Sequence, residues 1–154
     1  MLFKRLNQSD PERVFAVFQA NAAGIAADDV VQLELTAASV DGVKIIQPTT
    51  AQVHATVGIA DAAIANAAYG LVQIYGYRST SRILSSGASL TLGVALGAIA
   101  GQDYLDSLAS VSPAFLPAFV LLETAASTGT SATVTRKVFI RCMTVLLALG
   151  PVLL

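Results

Sequence analysis

The chain has 154 residues, of which 55% are hydrophobic and only 12% are charged, and its formal net charge is −1. A chain of this length forms one domain with a sizeable core. The balanced charge gives no electrostatic basis for binding nucleic acid, and the single cysteine excludes an internal disulfide. So few charges are not enough to solvate the surface of an ordinary monomer. Lipid, other protein chains or small neutral residues must therefore cover much of it.

The N-terminal region begins with a polar, mixed-charge lead-in, and we predict an extended arm over residues 1–13. The next segment, 13–19, has two interpretations. Asp10 could cap a helix that starts there. The alternation that puts Phe15 and Val17 on one face suits a strand that is covered on both sides. The β-branched and aromatic content favours the strand.

Short alternating segments continue along the chain, and Gly, Pro and Asp-Gly turn signals separate them. Seven or more such strands predict an all-β fold, a compact sandwich or barrel. The alanine-rich connection 61–68 leaves room for a minor helix, and region 105–130 is hard to interpret. The further predicted strands cover 30–36, 43–47, 52–60, 71–78, 83–84, 90–96 and 133–142.

We expect a β-rich domain over 14–143 and an apolar C-terminal tail over 144–154. The longest charge-free run, 83–102, is long enough to span a membrane. Its many serine and glycine residues make it only moderately apolar, which argues against a span. A small membrane protein, such as a holin-like pore former, remains the alternative interpretation.

The sequence contains no constellation that indicates catalysis. His54 is the only histidine and has no Cys, Asp or Glu at ligand spacing, so we expect no metal site. Cys142, the only cysteine, is interpreted as a buried apolar thiol. We therefore expect no enzyme activity, no catalytic residues and no cofactor.

The segment 55–82 is the most informative part of the chain. Its second strand alternates, and we predict that Val72 and Ile74 face the core. The other face and the strand end form a small basic and aromatic cluster, residue types that are enriched at protein interfaces. The alternative is an ordinary exposed strand end. The candidate partner contacts are Tyr75, Tyr77, Arg78 and Arg82.

Four short motifs in this order and spacing resemble the capsid decoration (cement) proteins of tailed bacteriophages. The resemblance covers about 14–143. It departs from the family pattern at 66–69, where a glycine-rich turn is common, and it does not include the tail 144–154. The motifs are Asp41-Gly42-Val43, Val57-Gly58-Ile59-Ala60, the segment GLVQIYG at 70–76, and KVFIR at 137–141.

The resemblance implies a structural virion protein that binds the outer surface of a phage capsid and clamps neighbouring capsid subunits. Its partners would be the major capsid protein and two further copies of itself in a homotrimer, with no nucleic acid and no membrane. It would be assembled in the cytoplasm of the bacterial host and would end on the capsid surface of the virion.

Overall fold

A computed structural model of the protein describes residues 12–21, 23–35, 42–49, 53–85, 89–107, 119–125 and 132–142. Most of the predicted arm and all of the predicted tail, 144–154, lie outside these residues. The division into arm, domain and tail therefore stays a prediction.

The described residues form eleven strands and no α-helix, which confirms the all-β prediction. Residues 13–19 are strand, as the aromatic and β-branched content favours. A single 3₁₀ turn, Val53–Ala55, precedes the fourth strand. The strands are β1 Arg13–Ala20, β2 Val30–Leu33, β3 Lys44–Ile46, β4 Thr56–Ala60, β5 Tyr69–Arg78, β6 Arg82–Ser85, β7 Ala95–Ala98, β8 Leu105–Ser107, β9 Phe119–Leu121, β10 Ala132–Thr135 and β11 Val138–Arg141.

The first five strands close into a small barrel in the order β1-β3-β2-β4-β5, because β1 pairs with both β3 and β5. The β1–β3 pair is parallel and the other pairs are antiparallel. β1 meets β3 only at Gln19 and Ala20, so the barrel closes through a short pairing. The barrel interior is filled by small and branched apolar side chains: Ala20, Ile25, Val31, Ile45, Val57, Ala60, Ile64 and Val72.

The remaining strands continue from the far end of β5 in the order β11-β9-β7-β8-β6-β10. They form a second layer, whose core includes Val30 of β2 and Ile59 of β4 from the outer side of the barrel. Val30 and its neighbour Val31 are therefore both buried, one in each core. Strands that are covered on both sides explain why this part of the chain carries so few charges.

The strand β5 belongs to both layers, and a bulge lets it do so. Val14 pairs with Tyr75 while Phe15 pairs with Gln73, which leaves Ile74 as the extra residue. Beyond the bulge Gly76 has φ +98°, and a Cβ there would lie 1.9 Å from the carbonyl oxygen of Glu12. Only glycine allows this close approach.

Two strand predictions are wrong in their extent. The predicted strand 133–142 is two strands, because Arg136 donates its backbone N–H to Ser81 O while the N–H of Lys137 goes to the Glu123 carboxylate. The chain thus leaves β6 and joins β5 and β9. Within 90–96, a turn at Gly93 with φ +85° replaces the first half of the predicted strand.

Two further regions differ from expectation. The connection 61–68 contains an isolated bridge from Ile64 to Ile25 and a turn in place of a helix. Region 105–130 contains the strands β8 and β9. Each has three residues, which is too short for alternation to be recognised in the sequence.

We predict that Gly76→Ala lowers the free energy of unfolding by more than about 3 kcal/mol, because it adds a backbone clash to the strain of a positive φ. Gly93→Ala is the matched control: its φ is also positive, but nothing lies within 4 Å of the added Cβ. The control substitution should lower the free energy of unfolding by only about 1–2 kcal/mol. Urea unfolding of both variants measures the difference, and equal losses would show that the contact with Glu12 is unimportant.

Candidate functional site

Arg78, the last residue of β5, is 6% exposed, and its guanidinium is surrounded by acceptors. Nη2 donates to the Asp28 carboxylate at 2.5 Å and to Ala60 O at 3.0 Å. Nη1 donates to Asp61 at 3.2 Å, and Nε donates to Thr80 O at 2.7 Å. Arg78 therefore joins the turn before β2, the end of β4 and the connection to β6.

Arg82, at the start of β6, extends this network. Its Nη1 donates to Asp29 at 3.3 Å and also to the carboxylate of Asp103. Burial raises the pKa of Asp29, and the charge of Asp103 adds to the rise, while the Ala26 N–H and Arg82 oppose it. Because Asp28 and Asp29 are adjacent, the two arginines form one cluster. We call it the junction cluster: Asp28, Asp29, Asp61, Arg78, Arg82 and Asp103.

The junction cluster connects the two layers, since Asp28 and Asp61 belong to the barrel and Asp103 precedes β8 of the second layer. In this arrangement the backbone of Asp28 has a positive φ of +67°. A partly buried arginine fork with several carboxylates holds a fixed geometry. The contacts of the cluster therefore position the strand ends of both layers.

Tyr75, Tyr77 and Phe139 form a second group on the other side of β5. Tyr77 is paired with Phe139 across β5 and β11, and the rings of Tyr75 and Phe139 meet edge to face with centroids 5.3 Å apart. All three side chains are half-buried, and Arg141 beside them is exposed. We call these four residues the aromatic face.

The bulge explains why the aromatic face points away from the core. Paired residues lie on the same side of a sheet, and neighbours in a strand lie on opposite sides. Val14 pairs with Tyr75 and Phe15 pairs with Gln73, so Tyr75 and Gln73 face opposite ways. The sequence alternation placed them on one face, which is wrong because Ile74 is inserted between them.

The prediction of a core face on β5 is confirmed for Val72, which is fully buried in the barrel. Ile74 is half-buried and packs against the same core. Gln73, expected on the open side, is buried too. Its Nε2 donates to the carbonyl oxygens of Tyr75 and Tyr77 at 3.2 and 2.9 Å.

The four predicted contact residues thus separate into two places. Tyr75 and Tyr77 lie on the aromatic face, whereas Arg78 and Arg82 belong to the junction cluster. Arg82 remains about one-third exposed, but Arg78 is enclosed. Partner contact by these residues stays a prediction, and for Arg78 the buried guanidinium gives a positioning role instead.

Sequence reasoning missed the acidic members of the junction cluster. Asp61 and the adjacent pair Asp28 and Asp29 belong to no motif that the sequence analysis identifies. Their arginine partners are 17 to 53 residues away along the chain. The only signal of this cluster in the sequence is a pair of adjacent acids before a predicted strand, together with two arginines that are four residues apart.

The single cysteine lies in the core of the second layer. Cys142 is buried, and burial raises the pKa of its thiol, so the reactive thiolate is strongly disfavoured. Among the described residues, no group of three or more His, Cys, Asp or Glu side chains is arranged to hold a metal ion. In the same part of the chain, no helix has the length and apolar character needed to cross a membrane.

Comparisons with known proteins find similarity among solved structures. No family model matches the sequence, and no curated protein matches it. Among solved structures, the chain is similar to the N base of the head fiber gp8.5 of bacteriophage phi29. The sequence identity is 13%, the TM-score is 0.46, and the match covers 84% of this chain and 96% of that chain.

We predict that Arg78→Met lowers the free energy of unfolding by about 3 kcal/mol or more, because it leaves buried acceptors and a carboxylate without their partner. Methionine keeps much of the aliphatic stem, so lost packing contributes little. The matched variant Arg82→Met replaces a more exposed side chain and should lower the free energy of unfolding by about 1 kcal/mol. Chemical denaturation measures both, and a larger loss for Arg82→Met would contradict this ranking.

Asp106 of β8 provides a test of buried charge outside the junction cluster. It is 5% exposed and accepts the N–H of Ser107 at 2.6 Å. Burial raises its pKa above the ordinary value of 3.8, and the Ser107 N–H only partly opposes this. The stability linked to the neutral acid is therefore fully present below the unfolded pKa and is lost as pH rises through the folded value.

Asp106→Asn removes this ionisation. Between pH 4 and pH 8 we expect the melting temperature of the variant relative to the wild type to rise and then to level off above the folded pKa of Asp106, because only the wild type must bury a charge at the higher pH. Thermal melts across that range measure the difference. A difference that is constant with pH would contradict the inferred cost of ionising Asp106.

Proposed function

We propose that the protein is a structural virion protein of a tailed bacteriophage, which binds the outer surface of the capsid and stabilises it by clamping neighbouring capsid subunits. One observation carries the proposal. Three of the motifs that resemble the capsid decoration family lie on neighbouring strands, although KVFIR at 137–141 is distant from the other two in the sequence. They are 57–60 in β4, 70–76 in β5 and 137–141 in β11.

The surface of the described residues is consistent with this role. The aromatic face offers large, rigid side chains next to a charged residue, a combination typical of the centres of protein interfaces. Its rings are already packed against each other, so little side-chain freedom is lost on binding. The capsid contact that we propose is the aromatic face with Tyr75 and Tyr77, while Arg78 and the exposed part of Arg82 would contact a partner from the junction cluster.

The proposed partners are the major capsid protein and further copies of this chain in a homotrimer, with no nucleic acid and no membrane. The proposed arm at 1–13 and tail at 144–154 would flank the β-rich domain 14–143. The role is mechanical, without catalysis or a cofactor. Many copies on one shell would stabilise it even if each contact is weak. The protein would be assembled in the host cytoplasm and located on the capsid surface.

The proposal is tested by sedimenting the purified chain with capsids assembled from the major capsid protein of the same phage genome. The mass in solution, measured first by light scattering, should be three times the chain mass of 15.9 kDa. We expect the full-length chain to sediment with the capsids. Failure to sediment would overturn the proposed function.

The contact surface is tested with Tyr77→Ala, which should weaken capsid binding about tenfold, the loss of a typical interface anchor. Tyr69→Ala is the matched control, because Tyr69 is also on β5 and is 64% exposed but lies outside the aromatic face. Melting temperatures establish that both variants fold. If the Tyr69 variant alone loses binding, the aromatic face is not the contact surface.

A further inference from the structure

The outer side of the barrel is covered by the second layer only in part. One row of paired residues crosses this side from β2 to β1: Val30, Ile59, Gln73 and Phe15. The first three are at most 1% exposed, whereas Phe15 is 37% exposed. The cover therefore stops between β5 and β1.

The uncovered part of this side is apolar. Val17 and Leu71, which pair directly across β1 and β5, are 60% and 48% exposed. Tyr69 lies at the next outward position of β5 and is also exposed. Contiguous exposed apolar side chains of this kind mark a surface that something else covers. We call Phe15, Val17, Leu71 and Tyr69 the β1–β5 patch.

The described chain approaches this patch where it leaves the sheet. β11 runs antiparallel to β5, and its last paired residue, Arg141, lies opposite Tyr75. Its direction therefore leads along β5 towards Leu71. The edge of β5 ahead of it is already occupied by β4 at Gln73 and Val72. That edge of β5 is therefore not free to pair with the residues that follow β11.

The residue after β11, Cys142, faces the same side of the sheet as the patch. Its side chain is fully buried in the core that also contains Ile59. Ile59 is in the row that ends at Phe15, so the side chain of Cys142 points to the side of the sheet that carries the patch. Leu71 lies four residues along β5 from Tyr75, a distance of about 13 Å in an extended strand.

The segment that follows is suited to cover an apolar surface. Residues 143–154 read MTVLLALGPVLL, with no charged residue and six aliphatic Leu or Val side chains after residue 145. Twelve extended residues reach about 40 Å, well beyond the patch. Its first few residues suffice to reach Leu71 and Val17.

We propose that the apolar segment 144–154 packs across the β1–β5 patch of the same chain and completes the cover of the barrel. The segment and the patch each remove the other's apolar surface from water. This inference does not depend on the proposed capsid role, because it concerns how the single chain closes its own surface.

The test compares the labelling rates of two introduced thiols by a water-soluble maleimide. Val17→Cys lies in the patch, and Leu92→Cys is the matched control, since Leu92 is 66% exposed and lies outside it. The buried thiol of Cys142 gives a low background in the wild type. We expect Cys at position 17 to react at least about tenfold more slowly than Cys at position 92, at any protein concentration.

If the proposal is right, the segment 144–154 causes the slow labelling of Cys at position 17. Replacing Leu146, Leu147 and Leu149 by Gln should remove the difference between the two thiols. Equal rates in the unmodified chain would overturn the proposal. Protection that survives the Gln substitutions, or that disappears on dilution, would overturn it in favour of a second copy or another cover.

A crosslinking experiment tests the contact between the segment and the patch without the Gln substitutions, so it gives an answer even if the Gln variant fails to fold. The double variant Val17→Cys, Leu147→Cys, treated with a short bis-maleimide, should give a crosslinked monomer on a denaturing gel. A crosslinked dimer would show that the segment covers a neighbouring copy and would overturn the proposal. Absence of any crosslink would also overturn it.

Discussion

The buried guanidinium of Arg78 is the interaction on which the arrangement of the two layers depends. A guanidinium is a charged group with only hydrogen-bond donors, and removing it from water costs several kcal/mol unless acceptors replace the water. The acceptors here come from the turn before β2, the end of β4 and the connection to β6. Arg82 continues the network to the segment before β8. The ends of strands from both layers are thereby held at one place.

A second constraint follows from the sharing of β5 between the layers. The strand closes the barrel with β1 and then pairs with β11. The extra residue Ile74 and the positive φ of Gly76 turn the strand between these roles. The same bulge sends the aromatic face and the β1–β5 patch to opposite sides. The molecule therefore has two distinct surfaces, one proposed for a capsid partner and one proposed for its own C-terminal segment.

The low charge content has a structural explanation in these layers. Adjacent residues such as Val30 and Val31 are buried in different cores, so part of the chain needs no solvated face. Among the described residues, most of the charged groups that are paired with one another form the junction cluster. Few charges are then left for the outer surface, and apolar side chains reach it at the aromatic face, at the patch, and singly at Val43 and Leu92.

By itself, the sequence determined the all-β class, the strand character of 13–19 and the burial of Val72, because alternation and β-branched content act within a few residues. Closure of the barrel, the division of 133–142 into two strands and the pairing of Arg78 with Asp28 were decided only by the tertiary structure. Each of these depends on which distant edges and charges meet: Asp28 and Arg78 are 50 residues apart. Local periodicity carries no information about such partners. The pattern therefore could not predict the burial of Arg78, nor the bulge that places Tyr75 on the opposite side of the strand from Gln73.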